Sequence, residues 1–315
     1  MAELEFYDGT HSGQQIDDLL NKSLSTVGKG INLLDNWYFV GGGSQQGGGQ
    51  FPINQRGLTS YSGAGYGIDR WYSGDPSASV TINQGSVTFA VASQYNGILQ
   101  YIEEPMLIDG QTYTLSILTT SGCYSWTFVA SKTTPAQSPN GWFGVADLYS
   151  YVNFFSNSKW RIFLFDNAIS SVKTVDVIAV KLELGDKQTL ARQVNGNWVL
   201  NDPPPNFQQE LAKCQLYQWK PTLFGGYLST SVVVGTAVDA SSMSVSNCLF
   251  PVTMRATPNL GTISLRDSGT GAEFTISSYS ASPTRDGVVY IYSIANSPLT
   301  AGHSYTLSFV ANANL

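Results

Sequence analysis

Leu107-Ile108-Asp109-Gly110-Gln111-Thr112-Tyr113-Thr114-Leu115-Ser116 returns near the end of the chain as Leu299-Thr300-Ala301-Gly302-His303-Ser304-Tyr305-Thr306-Leu307-Ser308, in the form LxxGxxYTLS. Each copy places a glycine, free to adopt turn conformations, just ahead of a Tyr and a Leu two residues apart. That spacing puts both side chains on one face of a strand. The pattern reads as a turn feeding a strand, used once in each of two β-domains of common architecture.

Outward from the first copy the period stays at two. Val87, Phe89 and Val91 alternate with small or polar residues, and Tyr113, Leu115 and Ile117 do the same. Trp160 to Phe165 is apolar at both parities except at Arg161, which predicts a strand covered on both sides. Val175 and Val177 share one parity while Val180, Leu182 and Leu184 share the other, so a bulge is expected near Ile178. Around the second copy, Val232 to Val234, Met243 with Val245, Phe274 with Ile276, Val288 to Ile294, and Tyr305 to Phe309 are the candidate strands. Within them Tyr290, Tyr292 and Ile294 alternate. Glycine, proline and Asn/Asp separate all these runs at short intervals, as in antiparallel sandwiches. The expected fold is all-β: two β-sandwich, jelly-roll-like domains with a short N-terminal helix and a connecting helix.

A chain of 315 residues exceeds what one core usually organises. Residues 1–30 read as an attachment or oligomerisation segment. In it Ser12 and Gln15 fit a capping box, and Ile16, Leu19, Leu20, Leu24 and Val27 form a helical stripe that Gly28 ends. So short a helix is marginal alone and must dock, either in a self-associated bundle or on its own chain. Residues 31–200 read as the first sandwich. They open on a strand-like run from Ile31 to Phe39 and a glycine loop, Gly41 to Gly49, that lacks the Lys-Ser/Thr of a phosphate loop. Residues 201–222 read as linker and connecting helix. A stiff connector from Val199 to Pro205 precedes a helix over 206–219, capped by Asn206 with Gln209 and striped by Phe207, Leu211 and Cys214. Pro221 stops it. Residues 223–315 read as the second sandwich.

Only 12% of residues are charged, against about 25% in an average globular protein. The net charge of −6 and the lack of Lys/Arg clusters argue against a nucleic-acid partner. No apolar run approaches the roughly 18 residues of a membrane span. The first residues carry no basic region followed by an apolar stretch, so synthesis in a cytoplasm is expected. Cys123, Cys214 and Cys248 are odd in number and far apart, which points to buried free thiols.

For catalysis the sequence offers little. His11 lies in the lead-in and His303 in a turn, and neither has triad partners nearby in sequence. Glu103-Glu104 is an adjacent acidic pair that a glycosidase could use, but on a strand the two would point to opposite faces. Asp166, Asp176 and Glu183 lie on later strands. Asp69 beside Arg70 reads as a structural pair. Asp147, Asp166 and Asn167 are the oxygen donors a structural Ca²⁺ would use, although no metal-ligand spacing supports it. Sugar recognition fits better, because aromatic rings can stack on sugar faces while neighbouring polar groups bond hydroxyls. Loop aromatics are the better candidates: Tyr61, Tyr66, Trp142, Tyr149 and Tyr151, with Tyr279 and Arg285 flanking a turn-rich tip in the second domain. Trp37, Trp126 and Trp160 read as core.

Several stretches resemble tail proteins of phages and prophages of gut bacteria, mostly with Gram-positive hosts. EFYDGTHSGQQIDDLL resembles their N-terminal segments. INLLDNWYFV, PINQRGLTSYSGAGYGIDRW and VIAVKLELGDKQT resemble the jelly-roll domain that follows, which is itself similar to carbohydrate-binding modules. FQQELAKCQLYQW resembles the next helix, and LFPVTMRATPNL with GHSYTLSFVANANL resembles the C-terminal β-domain. The resemblance covers nearly the whole chain in that order. It implies a non-enzymatic, virion-associated tail fibre or receptor-binding protein, often homotrimeric, that contacts other virion proteins and host cell-surface polysaccharide. Two other readings stay open: a purely structural virion protein (head fibre, decoration or baseplate subunit), and a surface polysaccharide depolymerase.

Overall fold

A computed structural model describes residues 30–43, 51–92, 97–104, 106–155, 159–168, 171–221, 233–295 and 298–314. The helical stripe Ile16, Leu19, Leu20, Leu24 and Val27 lies outside the described residues, as does most of the glycine loop. The chain is all-β with one helix among the described residues.

Twelve strands build the first unit: β1 (Ser60–Ser62), β2 (Gly65–Tyr66), β3 (Tyr72–Ser73), β4 (Ser79–Ile82), β5 (Val87–Val91), β6 (Ile98–Glu103), β7 (Thr112–Thr119), β8 (Cys123–Val129), β9 (Ala136–Gln137), β10 (Leu148–Phe155), β11 (Lys159–Asn167) and β12 (Lys173–Leu184). They form two antiparallel sheets, ordered β1-β4-β5-β12-β7-β8 and β2-β3-β6-β11-β10-β9. The chain crosses repeatedly from one sheet to the other, giving a jelly-roll-like sandwich. Val87, Phe89 and Val91 on β5, Tyr113, Leu115 and Ile117 on β7, and Trp160, Ile162 and Leu164 on β11 fill one core between the sheets. Each such side chain contributes roughly 1.5–3 kcal/mol by leaving water. The expected bulge is present: β12 shifts register against β7 between Val177 and Ala179, so Val177 and Val180 both reach the core. Trp37 and Trp160 are buried and Trp126 packs against the same core.

Residues 31–39 form no regular strand, unlike the sequence expectation. Asn36 adopts φ 51° and turns the chain, leaving one isolated bridge from Tyr38 to Ala179. β12 outruns β5, whose pairing ends at Val177, and this irregular segment covers the exposed stretch. Leu33 and Phe39 amides donate to the Leu182 and Ile178 carbonyls, and the Val180 amide donates to Trp37. A bare edge is thereby closed.

A hairpin follows, β13 (Ala191–Val194) and β14 (Asn197–Leu200). Its tip, Asn195-Gly196, has φ 51° and 80°, the two positive values that a tight hairpin turn of the primed type requires. Val199 and Leu200 therefore belong to a strand, not to the extended connector expected. Helix α1 (Phe207–Gln215) starts at Asn206, whose side chain accepts from the Gln209 amide at 3.1 Å. It ends four residues before the expected Trp219. Gln218–Trp219 instead forms β15, because the Trp219 ring is fully buried against Phe250 and Phe309 in the next core. Tertiary packing overrides local helix preference here.

The last unit comprises β16 (Val233–Ala237), β17 (Ser242–Leu249), β18 (Asn259–Leu260), β19 (Ser264–Asp267), β20 (Glu273–Pro283), β21 (Gly287–Ala295), β22 (Ser304–Ser308) and β23 (Ala311–Asn312). Where the alternation suggests a second open sandwich, six of these strands close into a barrel in the order β16-β17-β21-β20-β19-β22. β22 pairs with both β16 and β19, which removes the free edges. Val233, Met243, Val245, Leu265, Ile291 and Leu307 fill its interior. β15, β23 and β18 form a small sheet beside it.

The repeated cassette folds the same way in both units. Tyr113 accepts through its hydroxyl from the Ile108 amide at 2.8 Å, and Tyr305 accepts from the Thr300 amide at 2.8 Å. Gly110 and Gly302 sit at φ 80° and 79°, where a side chain would be strained.

A polar seam joins the units. The Arg70 guanidinium lies 3.4 Å from the centre of the Tyr217 ring and also donates to Asp35, so it does not pair with Asp69. Asp69 is fully buried and accepts from the Gln55 and Gln218 side chains. Burial pushes its pKa up to about 6, against the opposing pull of Arg56 and the Gln55 hydrogen bonds. Arg255 pairs with Glu103 across the seam.

Candidate functional site

Directly paired residues in an antiparallel sheet point to the same face. The register of the β2-β3-β6-β11-β10-β9 sheet therefore places Tyr66, Tyr72, Leu99, Phe163, Tyr151 and Gln137 in one row across six strands. The row lies on the side away from the core. At about 4.8 Å per strand, Tyr66 and Tyr151 stand roughly 19 Å apart. Two shorter rows run beside it on the same face. One is Tyr101, Arg161 and Asn153; the other is Glu103, Lys159 and Phe155.

The rings interlock. Tyr66 meets Tyr72 edge-on at 5.1 Å, Tyr72 lies 6.4 Å from Tyr101, and Tyr151 meets Phe163 edge-on at 5.8 Å. Leu99 and Phe163 are buried at the floor, while Tyr66, Tyr72, Tyr101 and Tyr151 are half-exposed. Cations lie against rings: Lys159 is 4.9 Å from the Tyr101 ring centre and Arg161 is 4.2 Å from that of Phe155. Arg161 Nε donates to Asn153 Oδ1 at 3.0 Å. Burial raises the Tyr101 hydroxyl pKa, and burial followed by the charge of Arg255 lowers that of Lys159.

Local structure sets this face. β11 shifts register against β6 between Phe163 and Phe165, turning Phe163 outward and Phe165 into the core. Gly97 precedes β6 at that point, and a Cβ there would lie 1.7 Å from the Phe165 carbonyl oxygen. The opposite sheet's outer face has no such row of rings among its paired described residues. Its paired rows read Ser60, Thr81, Thr88 and Asp176, or Lys181, Ser116 and Ser125.

Of the residues expected to bind sugar, Tyr66 falls at one end of the long row and Tyr151 one strand in from the other. Tyr149 is on β10 near them but is buried, with its hydroxyl donating to Asp166 at 3.2 Å. Tyr61 lies on the other sheet, with its hydroxyl on Asn54; the small cavity it shares with Tyr66 holds about 60 Å³, too little for a sugar ring. Trp142 packs on the core, its indole donating to Ser150 at 3.2 Å. Tyr279 is in a strand and not at the tip; its hydroxyl donates to the Leu260 carbonyl. Arg285 is at the exposed turn and donates to the Met254 carbonyl.

The barrel carries a second exposed feature. Tyr290, Tyr292 and Ile294 project outward from β21 at 45%, 41% and 40% exposure, with Ser246 and Ser244 beside the two tyrosines.

The carboxylates singled out in the sequence do not converge. Glu103 pairs with Arg255 and Glu104 with Lys132. Asp176 bonds Thr88, and Glu183 accepts from Thr189 on the sheet opposite Asp166. His303 contacts Asp267 at 3.2 Å. Asp147 pairs with Lys173 at 2.9 Å, and the Asn167 amide donates to the Val91 and Ser171 carbonyls. Among the described residues no three His, Cys, Asp or Glu side chains are grouped as metal ligands.

The sequence reading missed Tyr72, Tyr101, Phe163, Lys159, Arg161 and Asn153. Arg161, the one charge in the apolar run from Trp160 to Phe165, was the available signal. Compared with known proteins, the chain matches no family model, no curated protein and no solved structure.

Proposed function

We propose that this is a non-enzymatic, virion-associated tail fibre or receptor-binding protein that attaches a phage to host cell-surface glycans. The observation that carries this reading is the three-row face of rings, amides and cations on the β2-β3-β6-β11-β10-β9 sheet. Rings offer flat apolar contact, and Gln137, Asn153 and Arg161 offer hydrogen bonds at fixed spacings. The ordered resemblance to phage tail proteins supports the same reading. Binding at one face would be weak. Copies joined through the stripe Ile16, Leu19, Leu20, Leu24 and Val27, in a homotrimer, would supply avidity.

The test is competition. Purified protein incubated with host cells should block phage adsorption, and Tyr101→Ala with Tyr151→Ala should lower cell binding by about tenfold or more. Unchanged binding in that variant, with its fold intact, would sink the reading.

The exposed Tyr290, Tyr292 and Ile294 favour a second reading, a structural virion subunit whose barrel packs against another protein. Particles that fail to assemble after Tyr292→Ser, while adsorption per assembled particle is unchanged, would select it.

A further inference from the structure

The chain is acidic overall, with 22 Asp and Glu against 16 Lys and Arg. The aromatic face reverses that balance. Its two shorter rows present Lys159 and Arg161, and Arg255 stands beside them across the seam, against Glu103; the carboxylate of β11, Asp166, lies beyond the long row and is bonded by the Tyr149 hydroxyl. Glu103 is already engaged by Arg255. Among the described residues no carboxylate lies within ion-pair distance of Lys159 or Arg161.

Neither cation is a freely waving surface group. Lys159 is held over the Tyr101 ring, and Arg161 over Phe155 with its Nε committed to Asn153. Pinning Nε fixes the guanidinium plane and leaves the terminal nitrogens, which form a fork that fits carboxylate or phosphate oxygens in pairs. The rings on either side supply the apolar contact a sugar unit needs. We propose that the face takes an anionic glycan, with Lys159 and Arg161 binding its carboxylate or phosphate groups and the flanking rings binding its sugar or polyol units. This inference rests on the glycan-binding reading above and specifies its ligand class. The lowered pKa of Lys159, caused by burial and then by the charge of Arg255, accords with it, since the attraction of a bound anion would offset both.

The full chain would be titrated with three polymers of similar length: a neutral glucan, a polyuronate and a poly(glycerol phosphate). At low salt the wild type should bind one or both acidic polymers about tenfold or more tightly than the glucan, and the ratio should shrink as salt rises. Binding of the polyuronate alone assigns carboxylate; binding of the phosphate polymer alone assigns phosphodiester. The double variant Lys159→Gln, Arg161→Gln should bring the acidic-to-neutral ratio to about one, with Thr88→Ala on the opposite sheet as a control that keeps the wild-type ratio. A wild-type ratio near one, or a ratio that survives the double variant, overturns the inference while leaving the glycan reading in place. No binding of any of the three polymers by the folded wild type overturns both.

Discussion

The sandwich and the barrel start from the same local instruction and finish differently. Each contains LxxGxxYTLS, each folds it with a glycine near φ 80° and a tyrosine hydroxyl accepting an amide five residues back. In the sandwich the resulting strand, β7, lies between β12 and β8 within an open sheet. In the barrel the matching strand, β22, is the one that closes the ring. The surfaces differ too. The sandwich mixes its outward rings with Lys159, Arg161 and Asn153, whereas the barrel sets Tyr290 and Tyr292 beside serines. A shared cassette thus specifies a turn and a strand, and distant partners decide what is built from them.

The comparison can be broken most forcefully at the two leucines of the cassette. Leu115→Ala and Leu307→Ala each remove a fully buried side chain and should each cost about 2–5 kcal/mol in denaturant unfolding. If only one is destabilising, the equivalence of the copies fails. Next is the pH dependence of Asp69. Its folded pKa, about 6, stands above the ordinary 3.8, so the folded state holds the proton more tightly. Its contribution to stability is full below about pH 4 and is lost as pH rises through 6. About two units at 1.36 kcal/mol each make up to about 3 kcal/mol. Asp69→Asn should flatten that slope in melts taken from pH 4 to 7. Smallest are Tyr113→Phe and Tyr305→Phe. Each leaves an amide without its acceptor and should cost about 1–2 kcal/mol, similarly in the two units.

Much of this architecture was legible in the residues. Alternation located the strands, the parity change located the bulge at Ile178, and Asn206 with Gln209 located the helix start. Asn195-Gly196, near the end of the stretch read as the first sandwich, was an equally strong hairpin signal that was passed over. The barrel's closure was hidden because alternation is the same in open and closed sheets. The aromatic face was hidden for a related reason. In β11 both parities are apolar, so the pattern alone does not separate Phe163, facing out, from Phe165, facing in; that depends on a register shift against β6. The residues of the row come from strands far apart in sequence, and only pairing aligns them.

The seam has a mechanical consequence. To tilt one core on the other, the Arg70 guanidinium must first peel off the Tyr217 ring, and Arg255 must let go of Glu103. Glu103 belongs to the third row of the aromatic face itself. The seam therefore couples any change of tilt between the two units to the edge of the aromatic face.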